Sequence, residues 1–227
     1  MVLRPNIAAA HGLGPAHAAT ETLQVLECLG LVEGGHWTAA AETLLWRKAV
    51  PVQDTDVIVR AGKTVVPEKG HMGYAPEKGV IYVTVDPDHP TLQANPHQSL
   101  ERMLSHELHH CARWDGPGYG ATLGEALVSE GLAGHFAQEV FGGEPEPWES
   151  LPVSTLRPHI QTAQAEWDSA SYAHDAWFFG SSGFPNALGY SLGYRMVGHY
   201  LAAHRDRLAS RLVHADAGAF RSYLGEV

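Results

Sequence analysis

Two histidines and a glutamate lie close together near the middle of the chain, in the segment His106-Glu107-Leu108-His109-His110. On a helix, residues four apart project from one face with Cβ atoms about 6 Å apart, so His106 and His110 could both reach one Zn²⁺. Glu107 lies about 100° around that helix, where its carboxylate can reach a metal-bound water as a general base. The spacing indicates a hydrolytic zinc site with two ligands and a base.

A catalytic zinc ion takes three protein ligands and keeps one position open, so a third ligand must come from elsewhere. Glu130 is the best candidate, twenty residues after His110. The glycine-rich turn at 115–118 would reverse the chain, and an antiparallel helix pair would then bring Glu130 back beside the histidines. Glu125 competes for this role, but its position three residues after Thr122 is that of a capping-box partner.

Two tyrosines could assist the reaction by donating to an oxyanion. Tyr190 and Tyr194 lie four residues apart on a predicted helix, so that their phenols share one face. Packing aromatic side chains with exposed tips are an equally good interpretation. His109 points away from the ligand pair and is expected to be exposed or to support the ligands rather than bind the metal.

Hydrophobic periodicity and capping residues predict a sheet followed by helices. The clearest strand is Val80–Val85, and Asn95-Pro96 and Thr122 are the clearest helix starts. The other predicted strands lie at 56–60 and 65–66, and the predicted helices cover 16–29, 37–47, 96–114, 122–141, 158–170, 186–204 and 207–223, with an aromatic loop at 172–185.

These elements predict an α+β fold in a single domain, 1–227, whose first 15 residues form a loose leader. A small antiparallel sheet from the N-terminal half is expected to pack on a mainly helical C-terminal half. The two zinc-bearing helices of that half are expected to be antiparallel.

Composition excludes several classes of protein. The formal net charge of −10 and the lack of a Lys/Arg stripe argue against a nucleic-acid partner. No apolar run is long enough for a membrane span, and the N-terminus lacks the apolar core of a signal peptide. Two cysteines are too few for a disulfide framework, and Cys111 is expected to be a small buried residue on the apolar side of its helix. A cytoplasmic setting is the default expectation.

The motif and the downstream Glu130 resemble the gluzincins, the thermolysin-like zinc metallopeptidases. More closely, the chain from about residue 70 to 200 is similar to a small bacterial family of predicted Zn-dependent proteases. The matching segments are Gly73-Tyr74, Val80–Pro87, Ser105–His110, Ser129–Ala133 and Leu188–Tyr194.

The resemblance implies a zincin-like fold in which His106, His110 and Glu130 bind zinc. It also implies that Glu107 is base and acid, that the substrate is a peptide or protein, and that a sheet edge binds it in extended form. Thermolysin has Asn before the ligand Glu and Asp four residues after it, whereas this chain has Ser129 and Gly134. The group that orients a ligand histidine must therefore differ.

Because the chain has 15 histidines, the five-residue motif is less specific than usual, and two alternatives stay open. A non-catalytic protein could use zinc to brace the helix pair, with His109 or His135 as a fourth ligand in a closed site. A hydrolase acting on amides other than peptides would carry the same residues.

Overall fold

The structure, a computed structural model, describes residues 50–52, 55–181 and 183–227. The described residues form two compact units, one ending at Trp114 and the other comprising Asp115–Val227. The first contains the sheet and the second is mainly helical, which confirms the α+β class. The leader and the helices predicted over 16–29 and 37–47 lie outside the described residues, and the single-domain assignment stays a prediction.

The sheet of the first unit has three strands, β1 (Asp56–Ala61), β2 (His71–Glu77) and β3 (Val80–Val85), in the order β1-β3-β2. Strand β2 is antiparallel to β3, but β1 is parallel to it, so the sheet is mixed rather than antiparallel throughout. The chain reverses before and after β2, and two reversals leave β1 and β3 running the same way.

Strand β2 stands where the sequence predicted only a glycine-rich segment, and the strand predicted at 65–66 is wrong. Val66 instead forms a turn, in which its N–H donates to His71 O and its carbonyl accepts from Gly70 N–H. Strand β2 was not predicted because it contains Gly73 and Pro76, and both residue types are disfavoured inside strands. Strand β2 tolerates them at the sheet edge, with a register shift between Tyr74 and Glu77.

A short helix, α1 (Pro90–Ala94), follows the sheet and was not predicted, because two prolines were expected only to end the strand. It leads into α2 (Pro96–Arg113), whose bounds were predicted correctly. Pro96 occupies the first turn as expected, but the Asn95 side chain makes no capping hydrogen bond. The apolar side of α2 packs against β2 and β3 around a core of Val57, Val59, Ala75, Ile81, Val83, Val85, Leu92, Leu100, Leu104 and Cys111. The prediction that Cys111 is buried is confirmed.

The second unit is built on α3 (Leu123–Phe141), which begins with the predicted Thr122–Glu125 capping box. The further helices are α4 (Val153–Leu156), α5 (Ile160–Ala165), α6 (His174–Phe179) and α7 (Leu188–Ala203). Tight 3₁₀ turns cover Pro147–Glu149, Arg157–His159, Ala209–Arg211 and Ala217–Glu226.

Three predictions for the second unit need correction. Helix α5 ends well before residue 170, because the carbonyls of Trp167 and Ser169 turn to accept the N–H groups of Gly124 and Leu123 at the start of α3. The predicted α-helix over 207–223 consists of 3₁₀ turns, the second of which starts where Asp216 accepts from Gly218 N–H. The predicted aromatic loop contains α6.

Helices α3 and α7 approach each other closely at two glycines. A Cβ at Gly131 would overlap the carbonyl of Gly193, and a Cβ at Gly193 would overlap the carbonyl of Leu127. Only hydrogen atoms fit between the two backbones there, so α3 and α7 form the packed centre of the second unit. Within the described residues, none of the helices combines the length and apolar character needed to cross a membrane.

Candidate metal centre

The two histidines of the motif face each other on one side of α2. His106 Nε2 and His110 Nε2 are 3.0 Å apart, with the two rings in an edge-to-face arrangement. Two nitrogens that bind one tetrahedral Zn²⁺ at about 2.05 Å lie about 3.3 Å apart, so a few tenths of an ångström separate this pair from ligand geometry. The helical spacing alone therefore places two imidazole nitrogens as a zinc ion would require them.

Glu107 is nearly buried, with 7 % of its surface exposed, and its side chain lies against β2. A Cβ at Gly73 would be 2.5 Å from Glu107 Cγ and 2.6 Å from Glu107 Oε1, and also 2.6 Å from Met103 Sδ. Gly73 is thus a contact surface for the carboxylate. Its lack of a side chain leaves the space that Glu107 occupies beside the histidines.

His109, between the two histidines in the chain, is fully buried. The exposed alternative for His109 is therefore wrong, and a role in supporting the ligands stays a prediction. Because α2 packs its apolar side on the sheet, a residue one position before His110 turns into the interior of the protein.

In the second unit, Glu130 lies on the most buried stretch of α3, with 7 % of its surface exposed. Its Oε1 accepts a hydrogen bond of 2.8 Å from the hydroxyl of Tyr119. Glu125 is engaged differently, since its Oε2 accepts from the N–H groups of Ala121 and Thr122. The capping function of Glu125 is therefore confirmed. Glu130 has no such function and accepts a hydrogen bond from a tyrosine instead.

Two tyrosines near Glu130 have perturbed acidities. Burial is the main cause that raises the pKa of Tyr119 well above 10, and the negative charge of Glu130 adds to it. Burial and the charges of Glu130 and Glu125 also raise the pKa of Tyr172. Both phenols therefore stay protonated at neutral pH and can act as hydrogen-bond donors.

The two tyrosines predicted on α7 have different surroundings. Tyr194 stacks on His135 with ring centroids 4.0 Å apart, and its hydroxyl donates a short hydrogen bond to Gln138 Oε1. Tyr190 meets Phe178 edge-to-face and lies near enough to Tyr119 to influence the pKa of Tyr119. Tyr194 thus packs between α3 and α7, whereas Tyr190 lies close to the surroundings of Glu130.

Among the described residues, His106 and His110 on α2 and Glu130 on α3 each offer one atom that could bind a metal ion. Two imidazoles and a carboxylate are a donor set that suits zinc, so the residues present fit the metal that the sequence indicated. His109 and His135, the candidates for a fourth ligand, are not among these residues. His135 Nε2 instead lies 2.8 Å from the carbonyl of Tyr194.

Neither Tyr119, next to Glu130, nor Gly73, next to Glu107, was predicted from the sequence. The signal for Tyr119 is its place between two glycines, three residues before the helix cap Thr122. Gly73 gave no chemical signal, since its importance lies in the space that it leaves for Glu107.

Comparisons with known proteins agree with this chemistry. Residues 38–221 match the family DUF2268, described as "Predicted Zn-dependent protease". The chain is 27 % identical over 175 residues to the uncharacterized protein YjfC of Bacillus subtilis (strain 168), a match that covers 67 % of this chain. It spans 57 % of the length of that relative. No solved structure matches the chain. Since the family match extends over most of the sequence, the chain belongs to the DUF2268 family of predicted Zn-dependent proteases.

Proposed function

We propose that this protein is a zinc-dependent peptidase of the gluzincin type, with His106, His110 and Glu130 as the metal ligands. The observation that carries the proposal is the pair of imidazole nitrogens 3.0 Å apart on α2, with Glu107 next to His106 in the chain. A base beside a site with three protein ligands is what hydrolysis requires, whereas a purely structural zinc is normally closed by a fourth. The description of the family supports the same conclusion.

His106, His110 and Glu130 would hold the zinc ion, which would supply Lewis acidity toward the attacking water and the carbonyl of the scissile peptide. Glu107 takes a proton from the attacking water and delivers it to the leaving amine. Its position against Gly73 limits the directions in which the carboxylate can point. Fixing the base in this way contributes to the rate, because small misplacements of a catalytic group are costly.

Of the two candidate oxyanion donors, we keep Tyr190. The hydroxyl of Tyr194 donates to Gln138, and its ring packs on His135. Moving Tyr194 toward a substrate would break both contacts. Tyr190 is half-buried near Tyr119, and its ring contacts Phe178 edge-to-face. A phenol O–H at this place could donate to the developing negative charge.

Strand β2 is our candidate for the edge that binds substrate. It lies at one side of the three-stranded sheet, and its Gly73 contacts Glu107. The next residue, Tyr74, is 60 % exposed, which is unusual for a large aromatic side chain. An extended peptide that adds to this edge by main-chain hydrogen bonds would run past the proposed base. The substrates on this proposal are peptides or proteins.

Metal content and hydrolysis, measured together, test the proposed function. The purified protein should hold one zinc per chain by mass spectrometry, and it should cleave members of a random peptide library. Glu107→Gln keeps the shape of the side chain but removes its basicity, so it should retain zinc and lose cleavage by at least 100-fold.

Two results would count against the proposal in different ways. A wild-type protein without stoichiometric zinc would overturn the metal site. A protein that binds zinc but cleaves peptides no faster than Glu107→Gln would favour a non-catalytic metal-binding protein instead.

A further inference from the structure

Tyr119 is held by the same helix that carries Glu130. It lies in a tight turn between Gly118 and Gly120, which have φ angles of +71° and +112°. The carboxylate of Glu125 accepts from two N–H groups directly after this turn, and a Cβ at Gly120 would overlap the Glu125 side chain. The turn is thereby fastened to the first turn of α3, and Tyr119 keeps a fixed position relative to Glu130.

The hydrogen bond between Tyr119 and Glu130 has only one possible direction. An ionised carboxylate has no proton to donate, so the phenol must be the donor, and the bond length of 2.8 Å is normal for such a pair. A charged acceptor makes the bond about twice as strong as one between neutral groups. It therefore restricts the rotation of the Glu130 carboxylate.

Glu130 needs such a partner because its neighbours on α3 are apolar. Residues three or four positions away share its face of the helix, and of these Ala126, Leu127 and Ala133 are apolar and fully buried. A carboxylate in these surroundings is costly unless it is hydrogen-bonded or bound to a cation. Tyr119 occupies one acceptor position of Oε1, out of about four lone-pair positions that a carboxylate offers in all.

We infer that Tyr119 is a positioning residue, which orients the carboxylate of Glu130 so that one of its oxygens is ready to bind the metal. This inference rests on the proposed function, since it assumes that Glu130 is a zinc ligand. It assigns to Tyr119 the supporting contact that ligands of metal sites commonly receive from a neighbouring hydrogen-bonding group. Tyr119 itself touches neither the metal nor the substrate on this assignment.

Tyr172 offers a matched control. Its hydroxyl lies near enough to Glu130 for the charge to affect its pKa, but it is 3.0 Å from His174 Nδ1. Both Tyr119→Phe and Tyr172→Phe remove one hydroxyl group and keep the ring. Only Tyr119→Phe removes a hydrogen bond to Glu130.

The test measures the affinity of the full chain for Zn²⁺ by competition with a chromophoric chelator. Tyr119→Phe should weaken binding by about 10–100-fold, the usual effect of removing a group that orients a ligand. Tyr172→Phe should change it by less than about threefold. Equal affinities for wild type and Tyr119→Phe, or equal losses in the two variants, would overturn the inference.

A double-mutant cycle shows whether Tyr119 acts through Glu130. Glu130→Ala should weaken zinc binding more than Tyr119→Phe does, and the double variant should bind no more weakly than Glu130→Ala alone. Additive losses would mean that Tyr119 affects the metal by another route. The visible absorption of bound Co²⁺ gives a second readout, which should change in Tyr119→Phe and remain unchanged in Tyr172→Phe. Circular dichroism of the metal-free variants checks that each has folded.

Failure of the inference differs from failure of the proposed function. If Glu130→Ala binds Zn²⁺ as tightly as wild type, Glu130 is not a ligand and the proposed site itself is wrong. If Glu130→Ala loses zinc but Tyr119→Phe does not, only the positioning role of Tyr119 fails.

Discussion

Helices α2 and α3 hold their functional side chains by different means. Helix α2 is amphipathic, with an apolar side on the sheet and His106, Glu107 and His110 within a little more than one turn. Helix α3 is buried along most of its length and carries Glu130 among small and apolar residues. On α2 the helix geometry itself orients the proposed ligand pair, His106 and His110. On α3 a tyrosine from the preceding turn contacts the carboxylate.

This difference teaches which changes each part tolerates. The pair on α2 depends on side chains four residues apart, so only the loss of a ligand or a shift of its close neighbours disturbs it. Glu130 depends on the turn before α3, and α3 in turn depends on its packing with α7. Changes to α2, to Glu130 or to the turn that holds Tyr119 should therefore act on metal binding, while changes to the packing of α3 on α7 should act mainly on stability.

The largest effect is expected when a ligand is removed from α2. His106→Ala leaves one imidazole where two lie 3.0 Å apart, and zinc affinity should fall by at least 100-fold. Chelator competition measures the loss. The control is His214→Ala, which removes an exposed histidine from the second unit and should leave affinity unchanged. If His106→Ala retains the zinc affinity of wild type, the ligand pair on α2 has been misassigned.

The sequence was most informative where structure is decided locally. The helix that carries His106, the strand Val80–Val85 and the Thr122–Glu125 capping box all follow from patterns within a few residues, and all three are present. Strand β2 was missed because Gly73 is needed for a contact with Glu107 rather than for strand formation.

The remaining errors have their causes in contacts between distant residues. Helix α5 ends early because the carbonyls of residues 167–169 accept the N–H groups at the start of α3. The bond between Tyr119 and Glu130 depends on a turn with two positive φ angles. A sequence indicates such a turn by its glycines, but it does not show which side chain the turn will present. The antiparallel arrangement of α2 and α3 stays a prediction.

The second effect concerns the packing of α3 on α7 and its dependence on pH. Burial lowers the pKa of His135 from 6.5 to about 4, although its hydrogen bond to the carbonyl of Tyr194 opposes this shift. Between these two pH values the unfolded state binds more protons than the folded state, so stability falls as the pH falls from 6.5 to 4. The loss should be about 3 kcal/mol, since each pKa unit corresponds to about 1.4 kcal/mol.

Urea unfolding of the metal-free protein at several pH values measures this dependence. His135→Gln keeps an N–H donor for the carbonyl of Tyr194 but cannot be protonated. Its stability should fall less than that of wild type between pH 6.5 and 4, and above pH 7 the difference between the two proteins should be constant. Parallel curves throughout that range would show that the acid sensitivity of the fold lies elsewhere.

A smaller effect is expected where β2 supports the base on α2. In Gly73→Ala the new Cβ would lie 2.5 Å from Glu107 Cγ, so the carboxylate must shift. On the best substrate from a peptide-library digest, kcat should fall about tenfold, because a displaced base transfers protons less effectively. Zinc affinity should change by less than about twofold, since Glu107 is not a proposed ligand.

The matched control for this substitution is Gly225→Ala. A Cβ at Gly225 has 3.4 Å to its nearest neighbour, Gln164, and kcat should stay the same. If Gly73→Ala weakens zinc binding as much as it lowers kcat, then β2 supports the metal ligands as well as the base. The simple division between ligand pair and base on α2 would then be wrong.

The smallest effect is expected at the residue before α7. Ala187 has a φ angle of +65°, and it is the sole residue other than glycine with positive φ in the described part of the chain. A left-handed conformation costs an alanine about 1–2 kcal/mol, whereas glycine adopts it without strain but has a more flexible unfolded state. Ala187→Gly should therefore stabilise the protein by about 0.5 kcal/mol, and zinc affinity should stay unchanged.

Ala203→Gly, in the last turn of the same helix, makes the opposite change. Its backbone is helical, so glycine there should destabilise the protein by about 0.5–1 kcal/mol. Thermal unfolding should thus move the midpoints of the two variants in opposite directions, by about 1–4 °C each. The N–H of Ala187 donates to the carbonyl of Phe178. If Ala187→Gly also lowers stability, the alanine side chain is needed to maintain this hydrogen bond. Packing of the alanine side chain would then stabilise the protein by more than the positive φ angle costs.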